Sequence, residues 1–121
     1  MAISRILVVD DSPTERFFLS ELLVKNGYLV SMAESGEEAV AQAKQTLPDL
    51  IVMDVVMPGM NGYQATRMIT KEEATKHIPV IMWTTKGQET DKVWGVRQGA
   101  KAYLVKPVKP EDLLSQIKAL G

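Results

Sequence analysis

The sequence predicts an α/β fold: a doubly wound, five-stranded parallel sheet flanked by five helices. Three observations lead there. The runs Ile6-Leu7-Val8-Val9, Leu50-Ile51-Val52-Met53, Val80-Ile81-Met82-Trp83 and Tyr103-Leu104-Val105 are short and almost wholly apolar, as strands buried on both faces are. Segments of helical periodicity separate them, and strands alternating with helices build a parallel sheet through right-handed crossovers. Each run is followed at once by polar residues: Asp10-Asp11, Asp54, Thr84 and Lys106. Ligands of open α/β sheets bind outside the carboxyl ends of the strands. Three acids, a hydroxyl and an ammonium are therefore expected at one small site.

The elements follow in order. The first strand is expected over Arg5 to Val9. The first helix runs from Pro13 to Asn26, with Phe18, Leu19, Leu22 and Leu23 on its apolar stripe and Asn26-Gly27 stopping it. Ser12-Pro13-Thr14-Glu15 reads as a capping box: Ser at the N-cap, Pro at the first helical position, Glu three residues on. A second strand spans Leu29 to Ala33. The second helix, opened by Ser35-Gly36-Glu37-Glu38, runs from Gly36 to Thr46 and buries Ala39, Val40, Ala43 and Leu47. Pro48 ends it, and strand three is Leu50 to Met53. Met57-Pro58-Gly59-Met60-Asn61-Gly62 is loop chemistry. Helix three covers Tyr63 to Lys71, strand four Val80 to Trp83, and helix four Glu89 to Gln98. Strand five is Ala102 to Val105. Helix five runs from Pro110 to Leu120, with Leu113, Leu114, Ile117 and Leu120 at helical spacing.

Bulk properties exclude several classes. At 121 residues, 45% apolar and 24% charged, the chain suits one globular domain, expected to be residues 1–121 with no output domain. A formal charge of −1 from 14 basic and 15 acidic residues lacks the basic surplus of nucleic-acid binders. The absence of Cys excludes disulfides and thiolate metal sites and fits the cytoplasm. No apolar run reaches the roughly 20 residues a membrane span needs, and Met1-Ala2-Ile3-Ser4-Arg5 enters a strand without a signal peptide.

The strand-end residues carry the chemistry. If Ser12 and Glu15 cap the first helix, Asp10 and Asp11 are left over for function. Asp54 ends a central strand, where an Asp alone would be a turn former; beside Asp10, Asp11 and Lys106 it reads as a carboxylate nucleophile or metal ligand. Clustered carboxylates repel unless a cation joins them, and hard oxygen donors without Cys favour Mg2+. Lys106 must set its charge beside an anion or water, and Pro107 permits a cis peptide after it. Thr84 could donate to a phosphoryl oxygen, whereas Thr85 begins a loop. His77, the single histidine, reads as a surface residue; Trp83 and Trp94 read as packing, with Trp94 also a candidate partner contact. Met57, Met60 and Met68 read as core and loop filler.

Val8-Val9-Asp10-Asp11-Ser12, Met53-Asp54-Val55-Val56-Met57-Pro58-Gly59-Met60-Asn61-Gly62, Trp83-Thr84-Thr85 and Val105-Lys106-Pro107 together resemble the receiver domain of two-component response regulators, the CheY-like, flavodoxin-like fold. The resemblance covers essentially the whole chain. It implies the strand order 2-1-3-4-5, which alternation alone does not establish. It implies Asp54 as phosphoacceptor, and Asp10, Asp11, Asp54 and the Val56 backbone carbonyl around magnesium, with Asp10 acting through water. It implies Thr84 as the hydroxyl that moves toward the phosphoryl group, Lys106 as the bridging cation and Tyr103 as an aromatic switch. Helix four, strand five and helix five would be the output face. The partners implied are a histidine kinase or its phosphotransfer domain and an output protein. Nucleic acid and membrane insertion are not expected, and the chain is expected to be a monomer and not a turnover enzyme. The stretches Asp10 to Glu15 and Thr84 to Gly95 look more narrowly like stand-alone receivers of pilus-driven twitching motility or chemotaxis-like signalling. Two other functions compete. A phosphorylation-independent scaffold would not need the full set Asp10, Asp11, Asp54, Thr84 and Lys106. An aspartyl-nucleophile phosphatase would want an acid where Val56 stands, and a cap that this chain has no insertion to form.

Overall fold

In the computed structural model, which describes residues 3–121, ten elements alternate. They are β1 (Arg5–Val9), α1 (Pro13–Lys25), β2 (Leu29–Ala33), α2 (Gly36–Thr46), β3 (Leu50–Met53), α3 (Gly62–Lys71), β4 (Val80–Thr84), α4 (Glu89–Arg97), β5 (Ala102–Val105) and α5 (Pro110–Leu120). Met1 and Ala2, part of the expected leaderless N-terminus, lie outside the described residues. The strands form one sheet, β2-β1-β3-β4-β5, and all four pairings are parallel.

Period-two alternation divides the strand side chains between two cores. Ile6 and Val8 of β1 join Leu50, Val52, Ile81 and Trp83 under Leu19 and Leu23 of α1 and Leu113 and Ile117 of α5. Leu7 and Val9 join Ile51, Met53 and Val80 beneath Ala39, Val40 and Ala43 of α2 and Ala65 and Ile69 of α3. A smaller cluster of Val55, Tyr63, Met82 and Ala100, with Tyr103 packed on it, fills the space toward α4. The buried residues of the central strands β1, β3 and β4 are therefore apolar up to Thr84, which ends β4, whereas β2 lies at the edge and exposes Leu29 and Met32. No helix among the described residues is long and apolar enough to cross a membrane.

Three expected placements are corrected. Leu47 is not buried: it takes the left-handed C-cap position of α2, φ 47°, which turns the chain away from the helix face and leaves it 43% exposed. Phe18 is off the α1 core stripe, which consists of Leu19 and Leu23 with Leu22 beside them. Helix α3 begins one residue early, because Asn61 is its N-cap: its side chain accepts from the Gln64 N–H at 2.9 Å and Gln64 Oε1 accepts from the Asn61 N–H at 2.9 Å. That closed capping box starts the helix within a segment whose residue types signal only a loop.

Candidate functional site

Sheet pairing continues one residue past the strands and fixes the polar rim. The Asp54 N–H donates to the Val9 carbonyl at 2.9 Å, and the Lys106 N–H to the Thr84 carbonyl at 2.7 Å. Behind Asp54, Gly62 lets α3 start against the strand end. A Cβ there would collide with the Asp54 carbonyl, so any larger residue would push the helix off the rim.

Asp10, Asp11 and Asp54 come together as expected, each placing a carboxylate oxygen within 4.8 Å of the others. Asp10 is 1% exposed and Asp54 6%, while Asp11 faces solvent. Lys106 closes the cluster: its Nζ lies 3.3 Å from Asp10 Oδ2, 3.4 Å from Glu15 Oε1 and 4.0 Å from Asp54 Oδ2. The ammonium also stands 6.0 Å from the centre of the Trp83 ring, at the outer reach of a cation–π contact. The Lys106–Pro107 peptide is cis.

One ammonium does not offset this much negative charge. Burial pushes the Asp54 carboxyl up to about 6, and the nearby Asp10 charge adds to the rise, against Lys106 and the N–H groups of Val56 and Val55. Asp10 is raised too, first by burial, although the Ser12 N–H and Lys106 pull it down. The carboxylates are thus held where their ionised forms cost free energy. An all-oxygen donor set, short of positive charge and open to water through Asp11, fits a hard divalent cation that keeps several waters, as magnesium does.

Glu15 is not where a capping box would put it. Ser12 does cap α1, accepting from the Glu15 N–H at 3.4 Å, but the Ser12 N–H is taken by Asp10 Oδ1 at 2.9 Å. With that donor in use, the Glu15 carboxylate turns to Lys106. An Asp two residues ahead of the N-cap Ser is itself a signal for this competing bond.

Thr84 forms a second, uncharged wall. It is fully buried, and its Oγ1 accepts from the Lys86 N–H at 3.2 Å. The Tyr103 hydroxyl donates to the Lys86 carbonyl at 2.7 Å and lies 3.2 Å from the Tyr63 hydroxyl, which reaches the Asp91 carbonyl of α4 at 3.1 Å. Burial and the bond to Tyr63 raise the Tyr103 phenol, so it stays neutral. Gly95 of α4 makes the close packing over this ring possible, since a Cβ there would meet Tyr103 Cδ2 at 2.8 Å. Tyr63 carries no signal in the sequence, because its role depends on where the Asp91 carbonyl falls.

Val56 sits beside Asp54, its N–H 3.4 Å from Asp54 Oδ1 and its side chain 53% exposed. Between α1 and the β5–α5 loop, a groove of about 550 Å³ is lined by Thr14, Glu15, Phe18, Trp83, Lys106 and Pro107, which explains why Phe18 is not in the core. His77 is exposed, Trp83 is packed in the core and Trp94 is half exposed. Of the methionines, Met57 is buried, Met60 packs at the core margin and Met68 is exposed.

Comparison with known proteins gives concordant results. The family described as response regulator receiver domain matches residues 6–118. The chain is similar to the protein PilH of Pseudomonas aeruginosa, 58% identical, covering 97% of each chain. It is similar in structure to the Vibrio cholerae chemotaxis protein CheY4, with TM-score 0.92, 36% identity, and coverage of 99% of this chain and 100% of that one. It is also similar to the receiver domain of a sensor histidine kinase from Pseudomonas aeruginosa PAO1, solved with a magnesium ion coordinated in its active site cleft. That match has TM-score 0.90, 31% identity and coverage of 98% of both chains.

Proposed function

This chain belongs to the response regulator receiver family, and on that premise we propose that it is a stand-alone receiver phosphorylated on Asp54. The observation that carries this reading is Asp54 itself: a buried carboxylate raised to about 6, grouped with Asp10 and Asp11 and 4.0 Å from Lys106. An Asp54 oxygen attacks the phosphorus of a kinase or phosphotransfer-domain phosphohistidine. An O–P bond forms as the P–N bond breaks, and the imidazole leaves. Asp10, Asp11, Asp54 and the Val56 carbonyl would hold magnesium, which supplies positive charge to the phosphoryl oxygens. Lys106 moves from its carboxylate partners to a phosphoryl oxygen. Thr84 exchanges the Lys86 N–H for the same group, and that exchange loosens the loop to which Tyr103 is tied.

The change is read on α4, β5 and α5, where Val93, Trp94 and Val96 are exposed. Residues 1–121 act as a single cytoplasmic receiver domain and a monomer. The similarity to PilH supports a role in type IV pilus twitching or related chemotaxis-like signalling. An aspartyl phosphatase would want an acid at the place of Val56. Incubation with magnesium and acetyl phosphate, read by intact mass, is expected to add one acid-labile phosphoryl group to the protein and none to Asp54→Asn. Undiminished labelling of Asp54→Asn removes this assignment.

A further inference from the structure

We propose that Glu15 is a positioning residue that holds Lys106 in reserve and so sets how readily the site accepts a phosphoryl group. The inference rests on the reading of Asp54 as phosphoacceptor. Glu15 stands at the third position of α1, where a capping box would use its carboxylate on the Ser12 N–H. That hydrogen is already bonded to Asp10 Oδ1 at 2.9 Å, so the side chain is free of its local task. It reaches Lys106 Nζ at 3.4 Å, almost the same separation as Asp10 at 3.3 Å, whereas Asp54 is farther, at 4.0 Å. The lysine side chain is 13% exposed and that of Glu15 36%, so the pair lies at the mouth of the site rather than in open solvent.

The consequence follows from the geometry of one cation and three acids. Before phosphorylation the ammonium is drawn toward Asp10 and Glu15, on the α1 side, and away from Asp54. To pair with a phosphoryl oxygen on Asp54 it must give up the Glu15 contact. Glu15 therefore stabilises the unphosphorylated arrangement relative to the phosphorylated one and acts through Lys106. Pairs this exposed are worth little individually, so the effect expected is a few-fold bias and not an on–off switch.

Beryllofluoride at saturating magnesium serves as the phosphoryl mimic, with binding followed by emission of Trp83, whose ring borders Lys106. Glu15→Gln is expected to lower the half-saturating concentration by roughly two- to fivefold. Glu15→Asp keeps the charge but withdraws the carboxylate by one methylene, and is expected to show most of the same gain. In a Lys106→Met background, Glu15→Gln is expected to change binding by less than half of its effect in the wild type, because the partner is gone. A Glu15→Asp protein that binds as wild type does, or an equal Glu15→Gln effect with and without Lys106, overturns the inference. Beryllofluoride binding that survives in Asp54→Asn overturns the phosphoacceptor reading itself. Loss of binding there with no response to Glu15→Gln overturns the inference alone.

Discussion

Strand β3 is flanked by an aspartate at each end, and the two are opposites. Asp49, preceding Leu50, accepts from the backbone N–H of Arg5 at 2.9 Å and of Ser4 at 3.0 Å. Those two donors hold its carboxyl below the usual range. Asp54, following Met53, faces Asp10 and Asp11, shares one lysine with other acids, and is raised to about 6. Only the four residues of the strand separate them, yet one carboxylate completes the sheet and the other is held where its charge is costly. A buried charge short of partners persists in a fold when something that arrives later supplies them. The bottom of the sheet is satisfied, and the top is short of positive charge, as the phosphoacceptor role proposed for Asp54 requires.

The sharpest way to break this contrast is to remove each charge and read stability against pH without metal. A raised carboxyl binds its proton more tightly folded than unfolded, so its stability contribution is complete below the unfolded value of 3.8 and is lost as pH rises through about 6. Asp54→Asn is therefore expected to stabilise the metal-free protein at pH 8 by up to about 3 kcal/mol, since each tenfold change in proton affinity is worth about 1.4 kcal/mol, and by much less at pH 4. Asp49 has the reverse sign: its contribution is present above 3.8 and is lost as pH falls through its lowered folded value. Asp49→Ala is expected to destabilise by about 1 to 2 kcal/mol at pH 8 and by little in acid. Thermal melts of the two variants at both pH values check the pair; parallel pH trends would show that the two ends of β3 do not differ as described.

Metal binding sharpens the contrast further. Asp11 is the exposed member of the acid cluster and is expected to contribute directly, so Asp11→Ala should weaken magnesium binding by about tenfold or more, measured by calorimetry. Glu15 is a less neutral control than a capping residue would be, because it sits on Lys106. Glu73, paired with Lys76 at 3.0 Å away from the site, supplies the better one: Glu73→Ala should leave magnesium affinity unchanged. Equal losses in Asp11→Ala and Glu73→Ala would dissolve the site into general surface charge.

How much of this was legible in the sequence follows the same division. Charges at the ends of apolar runs stand out because each is anomalous where it sits, so Asp10, Asp11, Asp54 and Lys106 could be read directly, as could every strand start. Hydrogen-bond allocation could not. Ser12-Pro13-Thr14-Glu15 spells a capping box, yet one N–H serves one strong acceptor, and Asp10 takes it. Leu47 fits the apolar pattern of α2 but falls on the left-handed turn that ends the helix. The Tyr63–Tyr103 pair joins residues 40 apart and depends on carbonyl positions that no residue type announces.

That pair makes a testable relay. Two hydroxyl hydrogens serve three close contacts: Lys86 carbonyl to Tyr103, Tyr103 to Tyr63, and Tyr63 to Asp91 carbonyl. Tyr103 gives its hydrogen to Lys86, so Tyr63 must divide one hydrogen between Tyr103 and Asp91. Tyr63→Phe is expected to cost about 1 kcal/mol, and Tyr103→Phe about 0.5 to 1 kcal/mol. In the double variant the two costs should fall short of their sum. Strict additivity in denaturant melts would show that the hydroxyls act independently and that no relay joins β5 to α4.

The smallest effect expected concerns how long an acyl phosphate on Asp54 would last, and it tests whether the charged end of β3 is also closed to water. Hydrolysis needs a water in line with the phosphorus and oriented by a polar neighbour. Val56 lies two residues past Asp54, 53% exposed and with its N–H on the Asp54 carboxylate, and it offers no side-chain hydrogen bond. Lys86 is exposed, two residues past Thr84, but both its backbone polar groups are engaged, the N–H by Thr84 and the carbonyl by Tyr103. Its backbone is thus tethered on both sides, and a protonated ammonium has no lone pair with which to activate water. Val56→Asn adds a donor and acceptor at an exposed position without removing the backbone carbonyl assigned to the metal. It is expected to speed loss of the phosphoryl group by roughly two- to fivefold while leaving the extent of labelling by acetyl phosphate intact. Decay after removal of the donor, at fixed magnesium, gives the answer. An unchanged or slower decay means that the position two residues past Asp54 does not limit the attacking water in this protein.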